Sequence, residues 1–375
     1  MRDRDARQGP YARANHDIRH PHEDLLAIDR RLPWNDLNAL VRRDPTGRGV
    51  ASYVERGAPL CEHDLQNAAC DLAERATSVA IVTGFCIVGA LAGSAQSPQI
   101  QAPAAETDGP PGALLLARSL AALGVEVSLV SDAYGRPLLE AGCDHWGLPR
   151  GMIREFPLAP AADFDLRPFL ADANGKPLSH LIAIERVGPS HTPLSLAVQS
   201  RDGAAPIADF ERAVPPDERD VCHNMRGAAI DAYTAPIHRL FDQIAERALP
   251  ITTIGVGDGG NEIGMGSIPW ETLCQSIAVG PAARVACRIA TTHSILAGVS
   301  DWGAQALALS LPVLCGHAAS APVCTAVELG ELIEMLVAKA GAVDGVTGRS
   351  EATVDGLPLE TYLQVFSGIR DALRR

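Results

Sequence analysis

The segment GVGDGGNEIGMG, residues 255–266, contains six glycines and three polar side chains that could do chemistry. Those side chains are Asp258, Asn261 and Glu262, and the apolar run PITTI precedes the segment. Glycine loses more backbone entropy on folding than other residues, so this cluster indicates tight turning or close approach of the backbone to a ligand. The segment predicts a site for a small polar substrate, or for a hard cation such as Mg²⁺, which prefers carboxylate ligands.

The same glycines also match a nucleotide-binding pattern, but the match is weak. Gly255, Gly257 and Gly260 satisfy the pattern G-x-G-x-x-G of dinucleotide-binding loops. Asp258 would lie inside the turn that approaches the phosphates and would repel them. No lysine follows, as a phosphate-binding loop requires. The sequence therefore favours neither dinucleotide nor nucleotide binding.

A charged pair, Glu185 and Arg186, directly follows the apolar run HLIAI. Charge at the mouth of a buried strand costs free energy unless it is paired, and carboxylates with perturbed pKa values cluster at functional sites. We therefore predict that Glu185 is catalytic and that Arg186 binds substrate.

The segment ETDGPPG places Thr107, Asp108 and Gly109 before a helix that should begin at Pro110. A side-chain oxygen of Thr107 or Asp108 could cap that helix. The free amides of a helix start also attract a carboxylate or phosphate, so the three residues are equally candidates for substrate binding. Both interpretations stay open.

The segment CHNMRG places Asn224 and Arg226 at the start of a helix predicted over residues 226–247. Asn224 has the side chain of a helix cap. Arg226 in the first turn would oppose the helix dipole, which is mildly unfavourable. This placement suggests that both residues contact a ligand, with the planar guanidinium of Arg226 gripping a carboxylate.

Short β-branched runs alternate with segments of helical periodicity along most of the chain. The predicted strands cover residues 78–85, 125–132, 152–157, 180–185, 250–256 and 290–299. The predicted helices cover residues 60–76, 110–124, 137–146, 226–247, 302–311, 328–340 and 357–374. This alternation predicts an α/β fold, with a mostly parallel Rossmann-like sheet and helices on both faces, preceded by a short helical N-terminal segment.

Ligands of such sheets bind outside the carboxyl ends of the strands, so the polar residues named above should converge there. Asp132 and Asp301 also follow predicted strands, and we interpret these two as helix caps. We divide the chain into a disordered tail over residues 1–20, a helical segment over residues 21–58 that packs on the core, and an α/β domain over residues 59–375.

Composition argues against several classes of partner. A net charge of −13 disfavours nucleic acid and anionic membrane surfaces as partners. The apolar stretches are interrupted and shorter than the roughly 18 residues of a membrane span. Nine dispersed cysteines without a CxxC pair indicate reduced thiols. The charged start MRDRDARQGP is not followed by the apolar run of a secretory signal. We therefore expect a cytoplasmic protein with a small-molecule partner, and a homo-oligomer stays open.

Six segments carry a resemblance to a known family. In chain order they are ETDGPPGA, IAIER, NMRG, GDGGNEIGMG, AGVSDWGAQAL and TVDGLPLE. Together they resemble the D-glutamate cyclase C-terminal domain family, from about RRDPTGRG to the end of the chain. The resemblance implies conversion of D-glutamate to 5-oxo-D-proline with loss of water. Animal members are similar to this chain in their C-terminal part and carry a further upstream domain similar to bacterial hydro-lyase-like proteins.

Cyclisation requires a base for the ammonium, activation of the γ-carboxylate and stabilisation of an oxyanion. Glu185 or Glu262 is our candidate base, and Asp258 would hold the ammonium or a cation. The substrate's α-carboxylate would bind Arg226 together with Thr107 and the amides beside Gly109. The oxyanion would face Asn261 and the amides of the glycine turn, which include Gly259 and Gly260.

Two other functions fit the same residues. The first is hydrolysis or elimination on another small carboxylic acid, assisted by Mg²⁺ or Mn²⁺ bound to Asp258, Glu262 and Glu185. The second is a non-catalytic module that binds an amino acid at the glycine cluster. No cofactor is implied with certainty, and a divalent cation is the one candidate.

Overall fold

The computed structural model describes residues 32–55, 57–89, 91–92, 99–100, 102–317 and 324–375. The predicted tail over residues 1–20 and the start of the segment over residues 21–58 lie outside the described residues. The boundaries of the three predicted parts stay predictions.

Six strands form one parallel sheet in the described part of the chain. They are β1 (Ser78–Thr83), β2 (Glu126–Ser131), β3 (Ile153–Glu155), β4 (His180–Ile184), β5 (Thr252–Gly257) and β6 (His293–Leu296). Their spatial order is β3-β2-β1-β4-β5-β6. The strand order reverses between β1 and β4, and a reversal of this kind opens a crevice at the carboxyl edge of a doubly wound sheet. The predicted α/β fold with a parallel Rossmann-like sheet is confirmed.

Helices cover both faces of the sheet. The first face carries α1 (Trp34–Val41), α2 (Asp64–Arg75), α3 (Pro110–Ala122), α4 (Arg136–Trp146), α10 (Ser300–Leu314), α11 (Ala326–Ala340) and α12 (Leu359–Leu373). The second face carries α5 (Pro193–Val198), α6 (Ile207–Ala213), α7 (His238–Glu246), α8 (Trp270–Ser276) and α9 (Ala282–Val285). Within the described ranges, no helix has the length and hydropathy that a membrane span needs.

Each face of the sheet has its own apolar core because successive side chains of a strand point to opposite faces. In β1, Ile81 belongs to the first core and Val82 to the second. In β4, Ile182 and Ala183 are divided in the same way. Strands buried on both faces are therefore continuous apolar runs, which is why they could be recognised in the sequence.

Short two-stranded pairs and turns complete the described part. The pairs are Val54–Glu55 with Ala58–Pro59, Cys86–Ile87 with Ala104–Ala105, Leu91–Ala92 with Gln99–Ile100, and Thr353–Val354 with Leu357–Pro358. One of these strands, Cys86–Ile87, lines a cavity at the carboxyl edge of the sheet.

The predicted helix over residues 226–247 is wrong in its first half. The α-helix begins at His238, and a 3₁₀ turn over Asp231–Tyr233 precedes it. Gly227 has a φ of +79°, which ends any helix started at Arg226, and Pro236 disfavours helical geometry in the residue before it. Arg226 therefore lies in a turn and does not oppose a helix dipole.

The N-terminal helix α1 packs on the core and positions the loop that follows it. Trp34, Leu37 and Val41 are buried in the first core. The amide of Gly298, just before α10, donates to the carbonyl of Val41 at 2.9 Å. A Cβ atom on Gly298 would lie only 1.5 Å from the carbonyl oxygen of Arg43, so this position requires glycine.

We expect Gly298→Ala to lower the free energy of unfolding by about 1–3 kcal/mol, the usual cost of overpacking. The added methyl would push the loop after α1 away from the sheet. Gly151→Ala is the matched control because Gly151 is exposed and has open space around its Cβ direction. Chemical denaturation of both variants measures the difference, and equal stability of the two would contradict the packing described here.

Candidate functional site at the carboxyl edge of the sheet

A cavity of about 480 Å³ lies at the strand-order reversal between β1 and β4. Five of the predicted site residues line it, namely Glu185, Asn224, Arg226, Asn261 and Glu262. Thr46, Arg48, Glu106 and the loop over residues 345–348 also line it. Seven predicted residues are not in its lining: Thr107, Asp108, Gly109, Arg186, Asp258, Gly259 and Gly260. Residues far apart in the sequence thus surround one cavity, as the sheet topology requires.

Glu185 follows β4 directly and is buried at the cavity wall. Its φ of +45° is unusual for a residue with a side chain, and strained backbone of this kind is concentrated at functional sites. The hydroxyl of Ser300 donates to Oε2 at 2.6 Å. Burial raises the pKa of Glu185 well above its usual value, and the nearby carboxylates of Asp258 and Glu262 raise it further. A buried carboxyl group with a raised pKa at a cavity wall is a candidate for proton transfer.

The side chain of Glu262 holds the glycine turn together. Its Oε1 accepts from the amide of Gly259 and its Oε2 from the amide of Gly260, both at 2.8 Å. These two amides are therefore already used, and the prediction that they bind substrate or face an oxyanion is not supported. Both Glu262 oxygens are likewise engaged, which disfavours its assignment as the base.

The glycines of the turn are required by close packing. A Cβ atom on Gly255 would lie 2.4 Å from the carbonyl oxygen of Ile263, because β5 and the returning chain are in contact. Gly260 has a φ of +99° and lies against the side chain of Ile277. The cluster therefore folds the chain back on itself so that Asn261 and Glu262 reach the cavity.

Asn261 lies in the cavity lining, and the hydrogen bonding of its side chain does not support its predicted role as an oxyanion donor. Its Nδ2 donates to the carbonyl of His223 at 2.8 Å. Because a carbonyl can only accept, this bond fixes the orientation of the amide group. The buried Oδ1 has no hydrogen-bond partner among the described residues. It can receive a hydrogen bond from an ammonium group.

Asp258 lies behind the cavity wall, paired with Arg48. The guanidinium of Arg48 donates to Oδ1 of Asp258 and, at 2.6 Å, to Oδ1 of Asp355. Burial raises the pKa of Asp258 to about 8, although Arg48 opposes the shift. Burial also tends to lower the pKa of Arg48, but the surrounding carboxylates raise it overall. The arginine is therefore a permanent cation among buried acids.

Arg48, Glu106 and Asp355 were not predicted as site residues. Glu106 is buried, burial raises its pKa well above the usual value, and its Oε1 has no partner among the described residues. The sequence contained an indication of two of these residues. Glu106 begins ETDGPPGA and Asp355 lies in TVDGLPLE, and both segments carry the family resemblance. Arg48 lies in RRDPTGRG, where that resemblance starts. None of the three directly follows a strand of the main sheet, so a search of strand ends misses them.

Asp108 and Asp301 cap each other's helices. The Asp108 carboxylate accepts from the amides of Ser300 and Asp301 at 2.9 and 2.8 Å, at the start of α10. Asp301 accepts from the amides of Gly109 and Gly112 at 3.1 and 2.7 Å, at the start of α3. Asp301 is thus a helix cap, as predicted, but it caps α3 and not α10, the helix in which it lies. The amide of Gly109 is already used, so the predicted anion site at this helix start is not supported.

Thr107 and Arg186 serve the fold and not the cavity. The hydroxyl of Thr107 donates to the carbonyl of Thr353 at 2.7 Å. The guanidinium of Arg186 is buried, donates to two backbone carbonyls and pairs with Asp132 at 2.7 Å. With these groups engaged, the geometry supports neither residue as a substrate ligand.

Arg226 lies at the mouth of the cavity and is exposed. Its guanidinium donates to the carbonyl of Val346 at 3.3 Å, and no acidic side chain of the described residues pairs with it. The Oδ1 of Asn224 accepts from the amides of Arg226 and Ala228, so Asn224 orders this turn and does not cap a helix. Arg226 remains free to bind an incoming carboxylate.

Three carboxylates are close enough to hold a divalent cation. Oxygen atoms of Asp108, Glu185 and Asp258 lie within 4.8 Å of one another. This set differs from the predicted one in that Asp108 takes the place of Glu262. Oxygen ligands of this kind suit Mg²⁺ or Mn²⁺.

A doubly wound sheet with a buried acidic cavity at its strand-order reversal defines an α/β protein with a candidate ligand site at the carboxyl edge. The chain belongs to the D-glutamate cyclase-like, C-terminal family, which it matches over residues 37–214 and 198–370. The predicted family resemblance is confirmed.

The chain is also similar to a human protein named D-glutamate cyclase, mitochondrial. The two are 29% identical over 301 residues, which is 78% of this chain and 41% of the human protein. The chain thus spans less than half the length of this relative. Because the relative's name places it in mitochondria, the cytoplasmic location stays a prediction.

The two cavity glutamates should respond differently to amidation. We expect Glu262→Gln to lower the free energy of unfolding by about 1–3 kcal/mol, because the new NH₂ group would face an amide of the glycine turn and leave it unpaired. Glu185→Gln keeps its hydrogen bond with Ser300, whose hydroxyl can rotate, and it removes a carboxyl group that lies close to other acids. The free energy of unfolding of this variant should therefore not fall. Urea denaturation of both variants compares them, and an equal loss in the two would refute this assignment.

Proposed function

We propose that the protein is a D-glutamate cyclase-like lyase, which converts D-glutamate to 5-oxo-D-proline with loss of water. The observation that carries this proposal is the cavity itself. Its lining includes a buried carboxyl group with a raised pKa, Glu185, and an exposed guanidinium, Arg226. It also includes Asn261, whose Oδ1 has no hydrogen-bond partner among the described residues. Family membership supports the same reaction.

An amino acid with two carboxylates fits this distribution of groups. Its ammonium would donate to Asn261 Oδ1 and Glu185, which lie in the acidic interior of the cavity. Its α-carboxylate would pair with Arg226 at the mouth through the planar fork of the guanidinium. The γ-carboxylate would then lie inside the cavity, within reach of the amine.

Glu185 would serve first as base and then as acid. The γ-carboxyl group reacts in its protonated form, so its carbon carries a hydroxyl. The Glu185 carboxylate takes a proton from the ammonium, and the amine lone pair forms a C–N bond with the γ-carbon while the C=O electron pair moves to oxygen. When the C=O bond re-forms and the C–OH bond breaks, Glu185 returns its proton to the leaving hydroxyl, which departs as water. The nitrogen still carries two hydrogens and releases one to solvent, which balances the proton taken up by the γ-carboxylate. Holding amine and carboxyl together in the cavity removes the entropic cost of bringing them into contact.

A second candidate is a cation-assisted hydrolase or lyase that acts on another small carboxylic acid. The observation that favours it is the proximity of the Asp108, Glu185 and Asp258 oxygens. A bound Mg²⁺ or Mn²⁺ would polarise the carboxyl group of the substrate. Turnover that persists after dialysis against a strong chelator favours acid–base catalysis alone, whereas loss and recovery with added Mg²⁺ favours the second candidate.

Incubation with D-glutamate should give a product lighter by one water, measured by mass spectrometry. We expect Glu185→Gln to lower kcat by about 10²–10⁴-fold, the usual contribution of a general acid–base group. Glu331→Gln, at an exposed position on α11, is the matched control and should keep full activity. Absence of turnover by the wild-type protein, together with a thermal shift caused by D-glutamate, would indicate a non-catalytic binding module instead.

A further inference from the structure

Ring closure at a carboxyl carbon creates an oxyanion, and the described residues leave few donors to stabilise it. The amides of Gly259 and Gly260 are bonded to Glu262, and the Nδ2 of Asn261 is bonded to the carbonyl of His223. The starts of α3 and α10 are capped by Asp301 and Asp108. The donors that a glycine-rich turn and helix ends normally supply are therefore already used.

Arg48 is a partly buried cation that lines the cavity. Its side chain is 15% exposed, whereas Arg226 is exposed at the mouth, where water weakens its electrostatic effect. The bonds from Arg48 to Asp258 and Asp355 use two of the five N–H groups that a guanidinium carries. The remaining N–H groups can serve a ligand without loss of either ion pair.

The position of the Arg48 guanidinium is fixed before any substrate binds. Asp258 accepts a hydrogen bond from its Nη1 and Asp355 accepts one from its Nη2. Its backbone is held by Asp44, whose carboxylate accepts from the amides of Arg48 and Gly49 at 3.0 and 2.8 Å. Preorganised donors in a site shielded from water are the main source of oxyanion stabilisation in enzymes.

We propose that Arg48 is a catalytic residue that stabilises the oxyanion formed as the amine attacks the γ-carboxyl group. The electron pair of the C=O bond moves to oxygen as the C–N bond forms, and the negative charge develops beside the guanidinium. The charge returns to the C=O bond when the C–OH bond breaks and water leaves. Arg48 keeps its proton throughout, while Glu185 carries the proton transferred. This inference rests on the proposed cyclase function.

The test compares kcat and KM for D-glutamate in Arg48→Lys and the wild-type protein. Lysine keeps a positive charge between Asp258 and Asp355, so the fold should be retained, but it lacks the planar fork of donors. We expect kcat to fall by about 10²–10³-fold with KM changed by less than about fivefold, as for loss of an oxyanion donor. Arg43→Lys, at an exposed position in the same loop, is the matched control and should behave as wild type.

Arg48→Ala provides a second, independent measurement. Added guanidinium ion at millimolar concentration should restore part of its kcat, and added ammonium or potassium at equal ionic strength should not. A purely structural role would not give this selectivity. Thermal unfolding of each variant confirms that the fold is retained.

The outcomes separate this inference from the proposed function. A wild-type protein that does not cyclise D-glutamate overturns both. A cyclising wild type with unchanged kcat in Arg48→Lys, or with only a raised KM, overturns the role of Arg48 and leaves the cyclase function standing. A folded Arg48→Ala variant that guanidinium fails to restore likewise counts against direct action on the oxyanion.

Discussion

The buried ion pairs of Arg48 with Asp258 and Asp355 are the interaction on which the site depends. They join three segments that are far apart in the sequence: the loop after α1, the glycine turn after β5 and the turn before α12. Removing carboxylates from water costs several kcal/mol each, and the nearby guanidinium offsets part of that cost for both acids. The same pairing fixes a guanidinium at the cavity wall, where a substrate can reach it.

The remaining buried acids fall into two groups. Carboxylates of the first accept hydrogen bonds from backbone amides and stabilise the fold, and those of the second do not. Asp108, Asp301 and Glu262 accept hydrogen bonds from backbone amides and hold the starts of α3 and α10 and the glycine turn. Glu185 accepts from a hydroxyl, and Glu106 keeps one oxygen without a partner among the described residues. Burial raises the pKa of both. The first group thus stabilises the chain around the crevice between β1 and β4, and the second supplies carboxyl groups with raised pKa values.

The glycine-rich segment has a different purpose from the one its composition suggests. Its amides bind a carboxylate of the chain itself, Glu262, in the way that similar turns bind phosphate or an oxyanion. An internal anion therefore takes the place of a ligand. The segment contributes to the site by bringing Asn261 and Glu262 to the cavity lining, where the Oδ1 of Asn261 has no hydrogen-bond partner among the described residues.

The sequence by itself determined the α/β class, the parallel sheet and the convergence of Glu185, Asn261 and Glu262, because buried strands are continuous apolar runs and their carboxyl ends share one edge. The family followed from six short segments. Only the tertiary structure decided which polar atoms are free. Asp108 and Asp301 cap helices that are distant in the chain, Arg186 pairs with Asp132, and Arg48 reaches the cavity from a loop outside the sheet. Hydrogen bonds of this kind join residues about 50 to more than 200 positions apart, and local sequence patterns carry no information about pairings across such distances.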